Sequence, residues 1–217
     1  MVTKLLSSID ERYPLAEVDA GELKQVKAMG MTFSIRAFRS EGLGWVSLMT
    51  ATGFFGLMKM DTLIINPKDV DMPLLSYDRI YAMGNDTLIY ELYDTLVEKP
   101  DLSLLDEAKA HTDHLPVHKM GVHWYESIKL PQSFATKGKK SLTSAFDQEA
   151  WRYMQAYLDA AKTAPVCDDA AAKKEKAVYY VEGLLRDGGP CTDVFKKSIG
   201  EEKTAEVFRK YLFGTQA

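Results

Sequence analysis

Cysteine is nearly absent from this chain: two in 217 residues, Cys167 and Cys191, in neither a paired metal-ligand spacing nor a two-residue redox spacing. A secreted disulfide framework is therefore excluded. No segment approaches the roughly 18 consecutive apolar residues a membrane helix needs, and Met1 to Ile9 has no apolar run of signal-peptide length. We expect a protein of the reducing cytoplasm with no membrane partner. An excess of basic residues is missing too, with 27 Lys and Arg against 31 Asp and Glu, a net charge of −4. That balance argues against nucleic acid as a partner. Neither a Gly-rich phosphate loop ahead of a helix nor a Gly-x-Ser-x-Gly elbow occurs, which sets aside standard NTPase and hydrolase chemistry.

What remains is 46% hydrophobic and 27% charged, the composition of an ordinary globular protein, with length enough for one domain over 1–217. The spacing of Leu23, Val26 and Met29 behind Asp19 predicts a helix that Gly30 stops. Alternation over Thr32 to Arg39 then predicts a strand. Trp45 to Thr50 and Leu57 to Ile65 read as two more, closed by Asn66-Pro67. Tyr77 to Ala82 and Thr87 to Tyr93 form a further pair joined through Gly84-Asn85-Asp86. Such short links build an antiparallel meander, since a parallel crossover needs a dozen or more residues.

The carboxy-terminal half changes period. Ser144 to Asp147 resembles a capping box before a helix carrying Ala150, Met154, Tyr157, Leu158 and Ala161. A second helix runs from about Asp169 to Arg186 and stops at Gly188-Gly189-Pro190. Thr192 to Ile199 and Glu201 to Phe213 make two shorter ones. Strands followed by helices predict an α+β fold, an α/β/α three-layer sandwich with a central antiparallel sheet mainly over 32–130 and helices mainly over 1–30 and 144–213.

Several side chains could carry chemistry. His111, His114, His118 and His123 lie within thirteen residues, but Pro116 breaks any helix that would align them and no zinc spacing is matched. A polar loop is the favoured reading, with no metal site. Glu91 shares a strand face with Thr87, Ile89 and Tyr93; in a cleft it would be a candidate proton donor, and facing water merely a surface carboxylate. Met58, Met60 and Thr62 share another strand face, as core filling or as the wall of a pocket for a flat apolar ligand. Lysines gather at 137, 139 and 140, at 173, 174 and 176, and at 196 and 197, a basic side that could steer an acidic partner.

Two stretches resemble the ferredoxin-dependent bilin reductases, which are related to the red chlorophyll catabolite reductases of plants. The first is Leu57 to Asp94, with its strand ending in Pro, an apolar-Pro link, an Asp-containing strand, a Gly turn and a strand ending in an acidic residue. The second is Tyr179 to Phe213, with a helix, a polar break, a short helix, a Gly-Glu step and a closing helix ending in Leu-Phe. Trp124 to Pro131 echoes the family's Trp and Ser-Pro segment. The likeness implies an oxidoreductase that reduces a biliverdin-like linear tetrapyrrole held between the sheet and the carboxy-terminal helices. It implies no tightly bound cofactor, with electrons supplied singly by an acidic ferredoxin or flavodoxin. Glu91 falls where the family has a catalytic Asp, and Asp187, after a one-residue shift, near its second acidic or Asn position. Met58, Met60, Thr62, Ile89 and Tyr93 would then face the pigment. A His common among biliverdin reducers is replaced here by Asp61 or Thr62, which keeps a second reading open, a non-catalytic tetrapyrrole carrier on the same fold.

Overall fold

The computed structural model describes residues 1–189 and 191–217. Its centre is an eight-stranded antiparallel sheet: β1 (Leu15–Val18), β2 (Gln25–Ala28), β3 (Met31–Ser40), β4 (Gly44–Gly53), β5 (Met58–Pro67), β6 (Leu74–Ala82), β7 (Asn85–Tyr93) and β8 (Phe134–Lys139). The order is β1-β3-β4-β5-β6-β7-β8, with β2 pairing the other half of the β3 edge. On one face lie α1 (Val2–Arg12), α2 (Ser103–Ala110) and α3 (Thr143–Thr163); on the other lie α4 (Ala170–Asp187), α5 (Thr192–Glu206) and a closing π-helical turn, Val207–Leu212. The α+β three-layer sandwich expected from the order of strands and helices is the observed fold.

Period two along each strand divides the side chains into two separate cores. Leu63, Ile65, Leu75, Tyr77, Leu88, Tyr90 and Leu92 meet α1, α2 and α3. Met49, Met60, Ile64, Leu74 and Tyr93 meet Tyr180, Val181, Leu184, Phe195 and Phe208.

The structure corrects the sequence reading in several places. Residues 19–30 are not a helix: Val26 and Ala28 are the buried positions of a short strand, and Met29-Gly30 is its turn into β3. Leu23 is buried from a 3-10 turn at Gly21–Lys24 and Val26 from the strand, while Met29 is exposed, so the three share no helical face. The sheet begins at residue 15 and extends past 130 to β8, an edge strand whose lysines and glycine have low strand propensity. The capping box is not formed, since no side chain caps α3. Instead the Thr143 hydroxyl donates to Asp86 at 2.7 Å, and Asp147 faces Arg79 at 3.1 Å. Asp169 does cap α4, accepting from the Ala172 amide at 2.9 Å. The two short helices are separated as expected at Gly200, whose φ of 82° breaks the run. α4 ends at Asp187; Pro190, part of the expected stop, lies outside the described residues.

The closing turn is fixed to the sheet by side chains that take its terminal carbonyls. Trp45 Nε1 donates to Tyr211 O (2.9 Å), Ser47 Oγ to Leu212 O (2.7 Å), Asn66 Nδ2 to Phe213 O (2.7 Å) and Lys68 Nζ to Gly214 O (2.6 Å). Carbonyls that end a helix have no partner within it, so four neutralised acceptors lock this end of the layer. Further along the same face the cover is thinner, and Met58, Ser76, Asp78, Ile80, Cys191 and Val194 stay partly accessible.

Candidate functional site

Under that thinner cover the sheet register assembles a polar cluster. Thr62 pairs with Asp78, Asp78 with Ile89, and Ser76 with Glu91, so β5, β6 and β7 present these side chains to the α4–α5 layer side by side. The Thr62 hydroxyl donates to Asp78 Oδ1 at 2.5 Å and Ser76 to Asp78 Oδ2 at 3.2 Å. Two residues along β7, the Tyr93 hydroxyl donates to Glu91 Oε2 at 2.6 Å, while Lys129 Nζ stands 3.6 Å from Glu91 Oε1. Lys129 is held there by Glu126 at 2.6 Å.

Aromatic rings close the cluster. Tyr180 of α4 stacks on Tyr93 with centroids 4.0 Å apart, and Tyr125 meets Tyr93 edge-on at 5.6 Å. Trp124 lies 6.0 Å from Tyr180 and its indole nitrogen donates to Gly188 O at 3.0 Å. Gly183 makes that approach possible, because a Cβ there would fall 2.1 Å from the Trp124 ring. The Tyr125 hydroxyl is buried and, among the described residues, has no hydrogen-bond partner.

Titration follows from this setting. Burial pushes the Asp78 carboxyl up to about 6; the Thr62 and Ser76 hydroxyls pull it down, and the Glu91 charge adds to the rise. Asp78 keeps a strip of solvent access, but protein surrounds it on every other side and sets its chemistry. Burial also raises Tyr93, Tyr180 and Tyr125, and pushes the Cys191 thiol up to about 12, with the Asp78 charge contributing. A carboxyl titrating near neutrality beside a second carboxyl can hold and release a proton, and the tyrosine rings, buried against one another, wall the pair.

Met60, Thr62, Ile89, Glu91 and Tyr93 are thus buried together on one face, with Met58 partly exposed at the end of their row. Asp187 is elsewhere in character: it is exposed at the end of α4, and its carboxyl forms a forked pair with the adjacent Arg186 (2.6 and 2.9 Å), which holds it below the usual carboxylate range. Asp78, Tyr125, Tyr180, Lys129 and Cys191 adjoin this cluster without having been singled out from sequence. The lysine grouping also needs correction. Lys173 is buried against Asp71 at 3.1 Å and Met72 O at 2.7 Å, so it is a structural cation and no part of a basic surface.

The histidines lie in the segment between α2 and β8. Among the described residues no group of three or more His, Cys, Asp or Glu side chains is placed to hold a metal ion. The loop walls a cleft of about 520 Å³ beyond the edge of β8, with His118, Leu115 and Phe134 on its sides and Glu91 and Lys129 also lining it. Glu91 therefore borders both the tyrosine cluster and an opening to solvent.

No protein-family model matches the sequence, and no curated protein matches it. Among solved structures, the chain is similar to phytochromobilin synthase from tomato, crystallised in complex with biliverdin. The TM-score is 0.79 at 15% identity, covering 99% of this chain and 82% of that one. At such identity the likeness is one of fold.

Proposed function

We propose that the chain is an oxidoreductase of the bilin-reductase type, reducing a linear tetrapyrrole by coupled electron and proton transfer. The observation that carries this reading is the Asp78 and Glu91 pair, set on one sheet face beneath Tyr93, Tyr125 and Tyr180. The fold shared with a biliverdin-binding protein supports it. The pigment lies over the partly open strip from Met58 to Asp78 and Cys191, with Met60, Thr62 and Ile89 beneath it and the tyrosine rings at its edge.

Reduction of one carbon–carbon double bond takes up two electrons and two protons. The electrons arrive singly from a reduced ferredoxin or flavodoxin, which is oxidised, and no bound cofactor is required. Glu91 delivers one proton and is recharged through the cleft that it shares with Lys129. Asp78, with a pKa of about 6, is protonated in roughly a tenth of molecules at pH 7 and supplies the second. Asp187 remains at most a polar anchor on the rim. An acidic electron donor docks against the exposed Lys174 and Lys197 of the α4–α5 layer.

The test is an anaerobic assay with biliverdin and reduced ferredoxin. Progress to a reduced chromophore, abolished in Glu91→Gln with binding retained, supports the enzyme. The carrier reading draws on the family's His position, held here by Asp61 or by Thr62, whose hydroxyl is committed to Asp78. Spectra that shift on binding and never advance to a reduced product would favour it.

A further inference from the structure

We propose that one end of the sheet is a docking surface for an anionic lipid membrane, independent of any reaction at the carboxyl pair. Three hairpins turn at that end: β2 to β3 at Met29-Gly30, β4 to β5 at Phe54 to Leu57, and β6 to β7 at Met83-Gly84. Each carries large apolar side chains into solvent. Met29 is 67% exposed, Phe55 wholly so and Met83 92%, with Phe54 and Leu57 also more than half exposed.

Backbone conformation makes these choices costly. Met29 (φ 50°), Phe54 (φ 52°), Phe55 (φ 56°) and Met83 (φ 50°) all adopt the left-handed region, where Asn, Asp or Gly is the expected residue of a tight hairpin. An apolar residue gains nothing there from the fold itself, and the pattern occurs in all three turns. At the opposite end the β3 to β4 turn is polar, with Gly42 N bonded to Asp69 Oδ2 at 2.9 Å.

Charge and shape select the partner. Lys27, Lys59, Lys139 and Lys140 are exposed beside the tips, whereas Asp86 at the same end is turned inward onto Arg79. Adjacent tips stand two strands apart, about 10 Å, so the surface is a comb of separate projections. A bilayer interface yields around such projections and anionic headgroups meet the lysines, whereas a protein face would need three matching pits. Among the described residues no helix is long and apolar enough to cross a membrane, so the contact is peripheral.

The experiment is sedimentation with vesicles of phosphatidylcholine mixed with phosphatidylglycerol, against vesicles of phosphatidylcholine alone. Wild-type chain is expected to partition onto the mixed vesicles, less so at high salt. Phe55→Asn with Met83→Asn, which suits the left-handed turns, should reduce partitioning at least about tenfold without lowering the melting temperature. Lys59→Glu with Lys139→Glu should weaken it as well. The proposal fails if wild type ignores the mixed vesicles, if it binds pure phosphatidylcholine equally, or if the Asn variant binds like wild type. It also fails if the chain forms a dimer that the Asn substitutions dissolve, because a second copy would then cover the tips.

Discussion

On the sheet face packed against α3, Arg79 is fully buried, and its guanidinium meets Asp86 at 2.6 Å while Tyr90, Tyr153 and Tyr157 each donate to a backbone carbonyl. On the face packed against α4, among the described residues, Asp78 has two neutral hydroxyls, Glu91 has a tyrosine at 2.6 Å and a lysine at 3.6 Å, and the Tyr125 hydroxyl has no partner. The strands are the same and alternate residues supply both sets. A buried charge matched by its opposite is a structural element, whereas the Asp78 carboxyl, desolvated and met only by neutral hydroxyls, is pushed up to about 6. The two faces differ in how their charged side chains are matched: Arg79 meets carboxylates, whereas Asp78 meets hydroxyls alone.

Substitutions can break that contrast. Glu91→Gln should lower the rate of bilin reduction about 10²–10⁴-fold, the range for a lost proton donor, with little effect on a denaturation curve; single-turnover kinetics and urea unfolding measure the two. Arg79→Met should do the reverse, destabilising the fold by about 3–5 kcal/mol because Asp86 is left buried and unpaired. Adding Asp86→Leu to Arg79→Met should restore much of that loss in the same unfolding experiment.

The pH dependence of stability sharpens the point. Asp78 is raised from 3.8 to about 6 in the folded chain, so its stabilising contribution is complete below pH 3.8 and is lost as pH rises through 6. Asp78→Asn should remove this slope and leave the chain more stable above pH 6 by on the order of 2 kcal/mol, read from melting curves across that window. Reduction by wild type should also slow as pH rises through 6. The smallest effect separates two tyrosines. Tyr90→Phe loses a bond to Ala150 O and about 0.5–1.5 kcal/mol, while Tyr125→Phe, which removes an unpartnered hydroxyl, should be neutral or slightly stabilising by calorimetry.

Much of the architecture was legible because the five long strands are apolar runs bounded by turn residues and the late helices carry regular apolar stripes. β2 and β8 were not, being short and polar enough that pairing with β3 and β7, rather than propensity, makes them strands. Half of the site was legible for a similar reason. Glu91, Ile89 and Tyr93 share one strand, and their common face follows from alternation alone. Asp78 depends on register. A turn centred on Asn85 would set Asp78 opposite Leu92, on the face away from Glu91; the observed turn at Met83-Gly84 sets it opposite Ile89, on the same face. One residue of slip exchanges the faces of a strand, and a turn built on methionine is not where the sequence directs the eye. Tyr125 and Tyr180 come from distant segments and reach the site through tertiary packing alone.

On the proposed reading a flat tetrapyrrole settles over the carboxyl pair on the α4 side of the sheet. Titrating biliverdin into the chain, with visible absorption and induced circular dichroism as readouts, tests it directly. The expected result is a shifted, optically active band that Asp78→Asn and Glu91→Gln displace and that Tyr90→Phe on the opposite face leaves alone. A spectrum identical to free biliverdin, or one equally indifferent to all three substitutions, would contradict it.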